Sequence, residues 1–338
     1  MKFLPIAALL IPLAFTHDGN AAQYSGLYIF GDSLSDPGNN AVALGSKLSP
    51  PTNITLQSEI TSNEFIPSFP YANSFQFSNG NVWAYQFATM LGLPSQVAGP
   101  VLGGGPGSNY AYGGATTGPL NGDGFPPSLL TQVSTFAGSL GSSQAPGDAL
   151  YVVAGGGNDA RAALAQIAAG GDPTTVIATF AAQYAANVGS IVDTLQGKGA
   201  QHIVVWNAPN LGLTPAIGSL GPSVSYLGTT LTQTMNDALS LRLSGEAGVR
   251  TFDTFGLITS INSNPGAYGL TYASTAGGSV PGADLSQYLC WDGIHPTLAG
   301  HAIIAQSLYG AVVPEPSSTL LLAAGAVLIS IPVAFRRR

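Results

Sequence analysis

The chain has 338 residues, with 9 Lys and Arg against 16 Asp and Glu and a formal net charge of −7. Residues 23–313 are acidic and have no basic cluster, which argues against nucleic acid as a partner. The one cysteine, Cys290, excludes an internal disulfide and a thiolate metal site, and we expect it to be a small buried apolar residue.

The first 22 residues have the layout of a secretory signal peptide, with Lys2, an apolar run and then small residues. The run is shorter than a membrane span. The alternative, a buried N-terminal helix, is disfavoured because Pro5 and Pro12 would interrupt it. We therefore predict a signal peptide over residues 1–22 and one folded domain over residues 23–313.

Short apolar runs alternate with helical patterns along this domain. The predicted strands are Leu27–Phe30, Leu150–Ala154, His202–Trp206 and Arg250–Phe252, with a weaker candidate ending near residues 109–112. The predicted helices are Val82–Leu91, Thr174–Gln196, Thr229–Leu243 and Thr297–Val312. The alternation predicts an α/β fold with a parallel sheet covered by helices on both sides. The Gly-, Ser- and Pro-rich stretches Ser46–Phe77 and Leu102–Leu129 are predicted loops at one end of the sheet.

A polar cluster, FGDSLSD, directly follows the first predicted strand. Ligands of open parallel sheets bind beyond the carboxyl ends of the strands, which makes Ser33 a candidate nucleophile. The structural alternative is that Ser33 or Ser35 only caps a helix.

A serine nucleophile needs a base, and the chain has four histidines. His17 lies in the predicted signal peptide, His202 begins a strand and His301 falls in the last helix. His295 lies in the loop WDGIHP, three residues after Asp292, whose carboxylate is suited to orient an imidazole. Taken alone, this pair is equally consistent with a turn and an exposed loop.

Two glycine-rich segments offer donors for an oxyanion. GSNYAYGGAT contains Gly113 and Gly114, whose backbone N–H groups are not obstructed by a side chain. AGGGND follows the second strand and supplies the Asn158 amide. Neither segment matches a dinucleotide-binding or P-loop motif, and the chain lacks the G-x-S-x-G elbow.

In this order, the segments resemble the GDSL, or SGNH, hydrolase family. The matching blocks are Gly31–Asp36, NYAYGGAT, Gly157–Asp159 and Asp292–His295, and FSNGNVWAYQFATMLGL is similar to the region between the first two blocks. The resemblance spans residues 27–310. It implies a three-layer α/β/α sandwich close to a flavodoxin-like fold, and hydrolysis of lipid, short acyl or acetylated sugar esters without a metal or organic cofactor.

The resemblance also implies roles for single residues. Ser33 would be the nucleophile, His295 the base and Asp292 the residue that orients it. The oxyanion hole would comprise the Ser33 N–H, the Asn158 side chain and the N–H of Gly114, which matches better than Gly113.

Other residues of these blocks are expected to support the site. We expect Asp32, Asp36 and Asp159 to hold the turns by hydrogen bonds to backbone. The candidate apolar walls of the substrate pocket are Phe65, Phe69, Tyr71, Phe75 and Phe125, which are equally suited to the core of their loops.

The C-terminal segment has three ordered parts: Pro-Glu-Pro at residues 314–316, an apolar run over Thr319–Phe335, and three arginines. It resembles the PEP-CTERM sorting signal of Gram-negative bacteria. This implies export, a transient membrane anchor over residues 314–338 and an exosortase-type processing partner. The alternative is a permanent C-terminal anchor.

A non-catalytic reading competes with the enzyme. The sorting tail, low charge and polar glycine-rich loops also suit a surface or exopolysaccharide-matrix protein that uses the same fold for binding. A secreted lipid-binding protein with incidental esterase activity is a third possibility. The complete set of catalytic blocks favours the enzyme, while its substrate and acyl chain length are not specified by the sequence.

Overall fold

A computed structural model describes residues 24–40, 43, 76–97, 107–119 and 124–313. The predicted signal peptide and sorting tail lie outside the described residues. So do most of the predicted loop Ser46–Phe77, with the candidate wall residues Phe65, Phe69, Tyr71 and Phe75, and residues 102–106 and 120–123 of the second predicted loop.

The centre of the fold is a four-stranded parallel sheet in the order β1-β2-β3-β4. Its strands are β1 (Leu27–Gly31), β2 (Leu150–Ala154), β3 (His202–Trp206) and β4 (Val249–Phe252). The four predicted strands are therefore confirmed to within one residue at either end.

The weaker strand candidate runs along the free edge of β1. The N–H of Ile29 donates to the Ser108 carbonyl at 2.9 Å, and the Tyr110 N–H donates back to Ile29 at 2.8 Å. The Tyr112 N–H then bonds the Gly31 carbonyl at 3.1 Å. Residues 108–112 thus extend the sheet as an irregular edge and bring the glycine turn that follows them to the end of β1.

Helices lie between and after the strands. They are α1 (Trp83–Met90), α2 (Leu129–Ser139), α3 (Gly157–Ala168), α4 (Pro173–Gly197), α5 (Pro215–Gly218), α6 (Pro222–Arg242), α7 (Thr254–Ser263) and α8 (Leu298–Val312). Short 3₁₀ turns occur at Pro94–Val97, Leu211–Leu213, Pro265–Tyr268, Gly277–Ser279 and Leu285–Gln287.

The predicted helices correspond to α1, α4, α6 and α8, while α2, α3, α5 and α7 were not predicted. The start of α6 was placed seven residues too late, because Pro222 is well suited to the first turn of a helix and begins it there. The N-terminus of α2 is capped by Ser128, which accepts the Thr131 N–H, and that of α7 by Asp253.

The sheet is buried on both faces, which confirms the three-layer α/β/α architecture. Tyr151 and Val153 of β2 point toward α2, α3, α4 and α6. Val152 of β2 and Val204 of β3 face α1 and α8. Because side chains of a strand alternate between faces, each short apolar run supplies both cores.

The long helix α4 is the one helix in the described part of the chain that is long and apolar enough to cross a membrane. Half of its apolar window is buried inside the fold, where it packs against α6 and α2. This packing accounts for its composition.

A second, two-stranded parallel sheet pairs β5 (Tyr272–Ala276) with β6 (Tyr288–Cys290). It was not predicted, since both strands are short and pair across an irregular register. Cys290 is a buried free cysteine, as predicted, and packs with Ile261 of α7 and Leu289. The end of β6 leads directly into the loop that contains Asp292 and His295.

Candidate active site

Two chain segments leave the sheet side by side at its carboxyl edge. Gly31 at the end of β1 lies opposite Ala154 at the end of β2. A side chain at Gly31 would come within 2.8 Å of the Ala154 carbonyl, so this position requires glycine. The turn that carries Ser33 and the helix α3 that carries Asn158 therefore start at neighbouring points.

A side chain of α2 also holds the end of β1, where the turn with Ser33 begins. Gln132 accepts the Gly31 N–H and donates to the Gly31 carbonyl, both at 2.9 Å. No sequence signal singled out Gln132, because its partner lies 101 residues away.

The structure brings Ser33, His295 and Asp292 into one hydrogen-bonded chain. The Oγ of Ser33 lies 2.9 Å from Nε2 of His295, and Nδ1 of His295 lies 2.7 Å from Oδ2 of Asp292. All three side chains are buried, with Ser33 7% and His295 2% exposed. This arrangement is geometrically able to transfer a proton from the serine to the imidazole.

Hydrogen bonds within the loop keep Asp292 ionised. Burial raises the pKa of Asp292, but the His295 charge and the hydrogen bonds from His295 and Ile294 outweigh it and lower the pKa below its ordinary value. The Oδ1 atom accepts the backbone N–H groups of His295 at 2.7 Å and Ile294 at 2.8 Å. An ionised Asp292 accepts a proton-bearing Nδ1, which leaves the Nε2 lone pair facing Ser33.

The segment before α1, residues 77–79, contacts the loop that contains His295 and holds it in place. The Phe77 ring lies against the His295 ring, with centroids 5.2 Å apart. Ser78 Oγ donates to the Pro296 carbonyl at 2.9 Å, and Asn79 Oδ1 accepts the Leu298 N–H at 2.7 Å. This segment was recognised in the sequence through the resemblance, but its contact with His295 depends on the tertiary fold.

Asp36 binds backbone on both sides of the Ser33 turn. Its carboxylate accepts the N–H groups of Gly38 at 2.7 Å, Asn39 at 2.6 Å, Asn40 at 3.2 Å and Gly113 at 2.8 Å. Burial raises the pKa of Asp36 to about 7 in spite of these hydrogen bonds. The carboxylate therefore links the Ser33 turn to the glycine turn by hydrogen bonds.

Asp32 lies beside the triad. It is buried and accepts the Leu34 N–H at 3.0 Å. Burial raises its pKa to about 6, while this N–H and the charge of His295 lower it.

The glycine turn separates the two candidate oxyanion glycines. The Gly113 N–H is bonded to Asp36, and a side chain at Gly113 would collide with the Phe77 ring. Gly114 adopts a φ of 80°, in the left-handed region that favours glycine, and its N–H is not the one held by Asp36. This geometry favours Gly114 as the donor.

Hydrogen bonds of Asn158 and Asp159 connect the glycine turn and the residues after it to α3. One N–H of the Asn158 amide donates to the Ala115 carbonyl at 2.9 Å, which leaves its second N–H for a ligand. Asp159 accepts the Thr117 hydroxyl at 2.6 Å and the Thr117 N–H. Asn158 also lines the same pocket as Ser33.

Comparison with protein families identifies the chain. A family model described as GDSL-like lipase/acylhydrolase matches residues 27–308. The chain belongs to this family. A second model, the PEP-CTERM protein-sorting motif, matches residues 312–338, which confirms the predicted tail and indicates export.

Individual relatives of the GDSL family agree with this assignment. Esterase EstA of Pseudomonas aeruginosa and Esterase EstA of Pseudomonas putida are each 30% identical over 95% of this chain and 52% of their own length. A protein named GDSL esterase/lipase from Arabidopsis thaliana is 27% identical over 91% of this chain and 92% of its own length. The chain spans about half the length of these bacterial relatives.

A largely apolar pocket opens at Ser33 and His295 of this GDSL domain. Its volume is about 70 Å³, room for about five water molecules. We call it the active-site pocket; its apolar walls include Leu211, Leu213, Ile258, Leu289, Ile294 and Ile304. Phe125, one of the expected wall residues, instead packs edge-on against Tyr112.

Within the described residues, no group of three or more His, Cys, Asp or Glu side chains is placed to hold a metal ion.

Proposed function

We propose that the chain is a secreted serine ester hydrolase in which Ser33, His295 and Asp292 act as a catalytic triad. The observation that carries the proposal is the continuous hydrogen-bonded chain from Ser33 Oγ through His295 to Asp292. Its position at the carboxyl edge of a parallel sheet, beside an apolar pocket, suits an active site. The family and its esterase-named members support the same reaction.

In the first half-reaction, Ser33 Oγ attacks the ester carbonyl carbon while His295 Nε2 takes the hydroxyl proton. Asp292 stabilises the imidazolium that forms. His295 then returns the proton to the departing alcohol oxygen as the bond from carbon to that oxygen breaks, which leaves an acyl-enzyme on Ser33. In the second half-reaction, water loses a proton to His295 and attacks the acyl carbon. His295 then returns this proton to Ser33 Oγ as the bond from the acyl carbon to Oγ breaks, which releases the acid and restores the serine.

The negative charge of each tetrahedral intermediate needs donors already in place. We assign this role to the N–H groups of Ser33 and Gly114 and to the free N–H of the Asn158 amide. The hydrogen bonds from the Gly113 N–H to Asp36 and from the Asn158 amide to the Ala115 carbonyl hold these donors in position before the substrate binds.

The acyl part of the substrate would occupy the active-site pocket. Its walls are mostly aliphatic, and transfer of an acyl chain from water to such a surface is favourable by about 0.8 kcal/mol for each methylene group buried.

The sorting motif supports a cellular route for the enzyme. We propose that the signal peptide over residues 1–22 directs export, that residues 23–313 form the hydrolase domain, and that an exosortase-type enzyme processes residues 314–338. The product would act at the cell envelope or outside the cell of a Gram-negative bacterium.

The test is hydrolysis of p-nitrophenyl esters from acetyl to palmitoyl by the full-length protein and its Ser33→Ala variant. We expect Ser33→Ala to lose at least about 1000-fold in kcat. Ser190→Ala, on the exposed surface of α4, is the matched control and should retain full turnover. Undiminished turnover in Ser33→Ala would refute the proposed triad.

A further inference from the structure

A second concavity adjoins the active-site pocket. This side groove has a volume of about 440 Å³ and shares Leu213, Thr214 and Asn262 with the active-site pocket, so the two are adjacent. None of the described residues that line it is charged. Its polar lining consists of Thr214, Ser219, Ser225, Asn262, Ser274, Thr275 and Ser279.

The polar groups of the side groove share a hydrogen-bonding property. Most of them already donate a hydrogen to a nearby backbone carbonyl, over 2.7 to 3.0 Å: Thr214 to Leu211, Ser219 to Ala216, Ser225 to Gly212, Ser279 to Ala276 and Asn262 to Ile258. A hydroxyl or amide oxygen keeps acceptor capacity after its hydrogen has been donated. The side groove therefore presents several acceptors to a ligand.

The side groove is fixed relative to the catalytic loop. The Ala216 N–H of α5 donates to the Gly293 carbonyl at 2.9 Å, and Gly293 lies between Asp292 and His295 in the chain. One wall of the groove is thus hydrogen-bonded to the loop that positions the base. A group seated in the groove would be held at a constant distance from the reacting carbonyl.

We propose that the side groove binds the alcohol part of the ester and that this alcohol is a neutral polyhydroxylated group, such as a sugar. The inference rests on the proposed esterase function and deepens it. Hydroxyl groups of a sugar are donors that match the acceptors of the groove. A phosphate, carboxylate or ammonium group would find no counter-charge among the described lining residues, because all of their side chains are neutral.

The assignment also places each part of the ester against a surface of matching polarity. The active-site pocket is mostly apolar and takes the acyl chain, while the side groove is polar and takes the alcohol. The cation that lines the active-site pocket, Arg161, belongs to α3 and is not among the groove residues. A charged headgroup therefore has no partner in the groove itself.

The first experiment compares three octanoyl esters that differ in the alcohol. The full-length protein would be assayed with 6-O-octanoyl glucose, ethyl octanoate and octanoyl lysophosphatidylcholine. We expect kcat/KM for the glucose ester to exceed that for the ethyl ester at least about tenfold, since one or two well-placed hydrogen bonds suffice for that factor. The lysophospholipid should be the poorest of the three.

The second experiment removes groove hydroxyls without changing side-chain shape. Ser274→Ala combined with Thr275→Val changes two exposed residues of β5 that line the groove. We expect the ratio of kcat/KM between glucose ester and ethyl ester to fall about tenfold, through KM rather than kcat. Thr271→Val, one residue before β5 and outside the groove, is the matched control and should keep the wild-type ratio.

The two proposals fail in distinguishable ways. Turnover that depends on Ser33 but favours the ethyl ester or the lysophospholipid would overturn the side-groove assignment alone. An unchanged ratio in the double variant would overturn it as well. Turnover of the three esters that survives Ser33→Ala, or its complete absence, would refute the proposed function, and the groove assignment would fall with it.

Discussion

The carboxylate of Asp36 connects the two halves of the candidate oxyanion site. Its Oδ2 atom accepts the Gly113 N–H at 2.8 Å, and its Oδ1 atom accepts the Gly38 and Asn39 N–H groups. Asp36 follows Ser33 by three residues, whereas Gly113 lies 77 residues further along the chain than Asp36. Asp36 thus helps to set the relative position of the Ser33 turn and the glycine turn, together with the buried amides of Asn39, Asn40 and Asn109.

Replacing Asp36 should therefore reduce both stability and turnover. Asp36→Ala leaves buried N–H groups without an acceptor, at about 1–3 kcal/mol for each that water does not reach. We expect a lower melting temperature and at least a tenfold lower kcat for p-nitrophenyl butyrate, because the Gly114 donor loses its support. Asp36→Asn retains one oxygen acceptor and should be intermediate. A destabilised Asp36→Ala protein with wild-type kcat would contradict the role of Asp36 in positioning the Gly114 donor.

Asn158 should contribute to the transition state rather than to substrate binding. We expect Asn158→Ala to lower kcat about 100- to 1000-fold with little change in KM, as is usual for the loss of one oxyanion donor. Asn158→Asp keeps the shape of the side chain and removes the donor, so it separates lost packing from lost hydrogen bonding. Steady-state kinetics of both variants provide the test. A normal kcat in either variant would exclude Asn158 from the oxyanion hole.

Ile258 of α7 should influence acyl chain length, because it forms part of the wall of the active-site pocket. We expect Ile258→Ala to shift the preferred p-nitrophenyl ester to a longer acyl chain and Ile258→Phe to a shorter one. Ile261→Ala, on the same helix, removes a buried side chain that does not line the pocket. This control should lower stability but keep the wild-type chain-length profile. Identical profiles in all variants would place the acyl chain elsewhere.

His301 should make the fold sensitive to acid. Its side chain is fully buried in α8, neither ring nitrogen has a hydrogen-bond partner within the described residues, and burial lowers its pKa from 6.5 to about 3. Below pH 6.5 the unfolded chain binds a proton that the folded chain does not, so stability falls as the pH falls from 6.5 toward 3. By pH 5 the loss from this group is about 2 kcal/mol.

A variant with an uncharged residue at position 301 isolates the contribution of His301 to the pH dependence of stability. We expect the free energy of unfolding in urea to fall by about 2 kcal/mol less in His301→Leu than in wild type between pH 7 and pH 5. The acidic groups with raised pKa, Asp32 and Asp36, titrate in both proteins and cancel in the difference. Equal losses in the two proteins would show that His301 does not titrate in this way.

The sequence by itself determined the architecture of the sheet. The strands β1, β2 and β3 are mostly apolar runs buried on both faces, and such runs are typical of a parallel sheet covered by helices. The edge strand β4 differs, since its Arg250 and Thr251 are exposed. Helices were predicted where an apolar stripe was continuous. The helix α3 was missed because it begins within the glycine-rich AGGGND, where propensity disfavours a helix, and α2 because its start lies in a segment read as a loop.

The sequence also identified Ser33, Asn158, Asp292 and His295 as candidates, because the end of a parallel strand and the order of the blocks are local features of the chain. Only the tertiary structure decided that Ser33 and His295, 262 residues apart, lie within hydrogen-bonding distance. It likewise decided that Gly113 is held by Asp36, and that the pocket walls come from α7 and β6 rather than from Phe125. Local patterns report which side chains are available and at which end of a strand they lie. Distances between segments that are remote in the chain depend on how the layers pack, and local sequence patterns do not determine that packing.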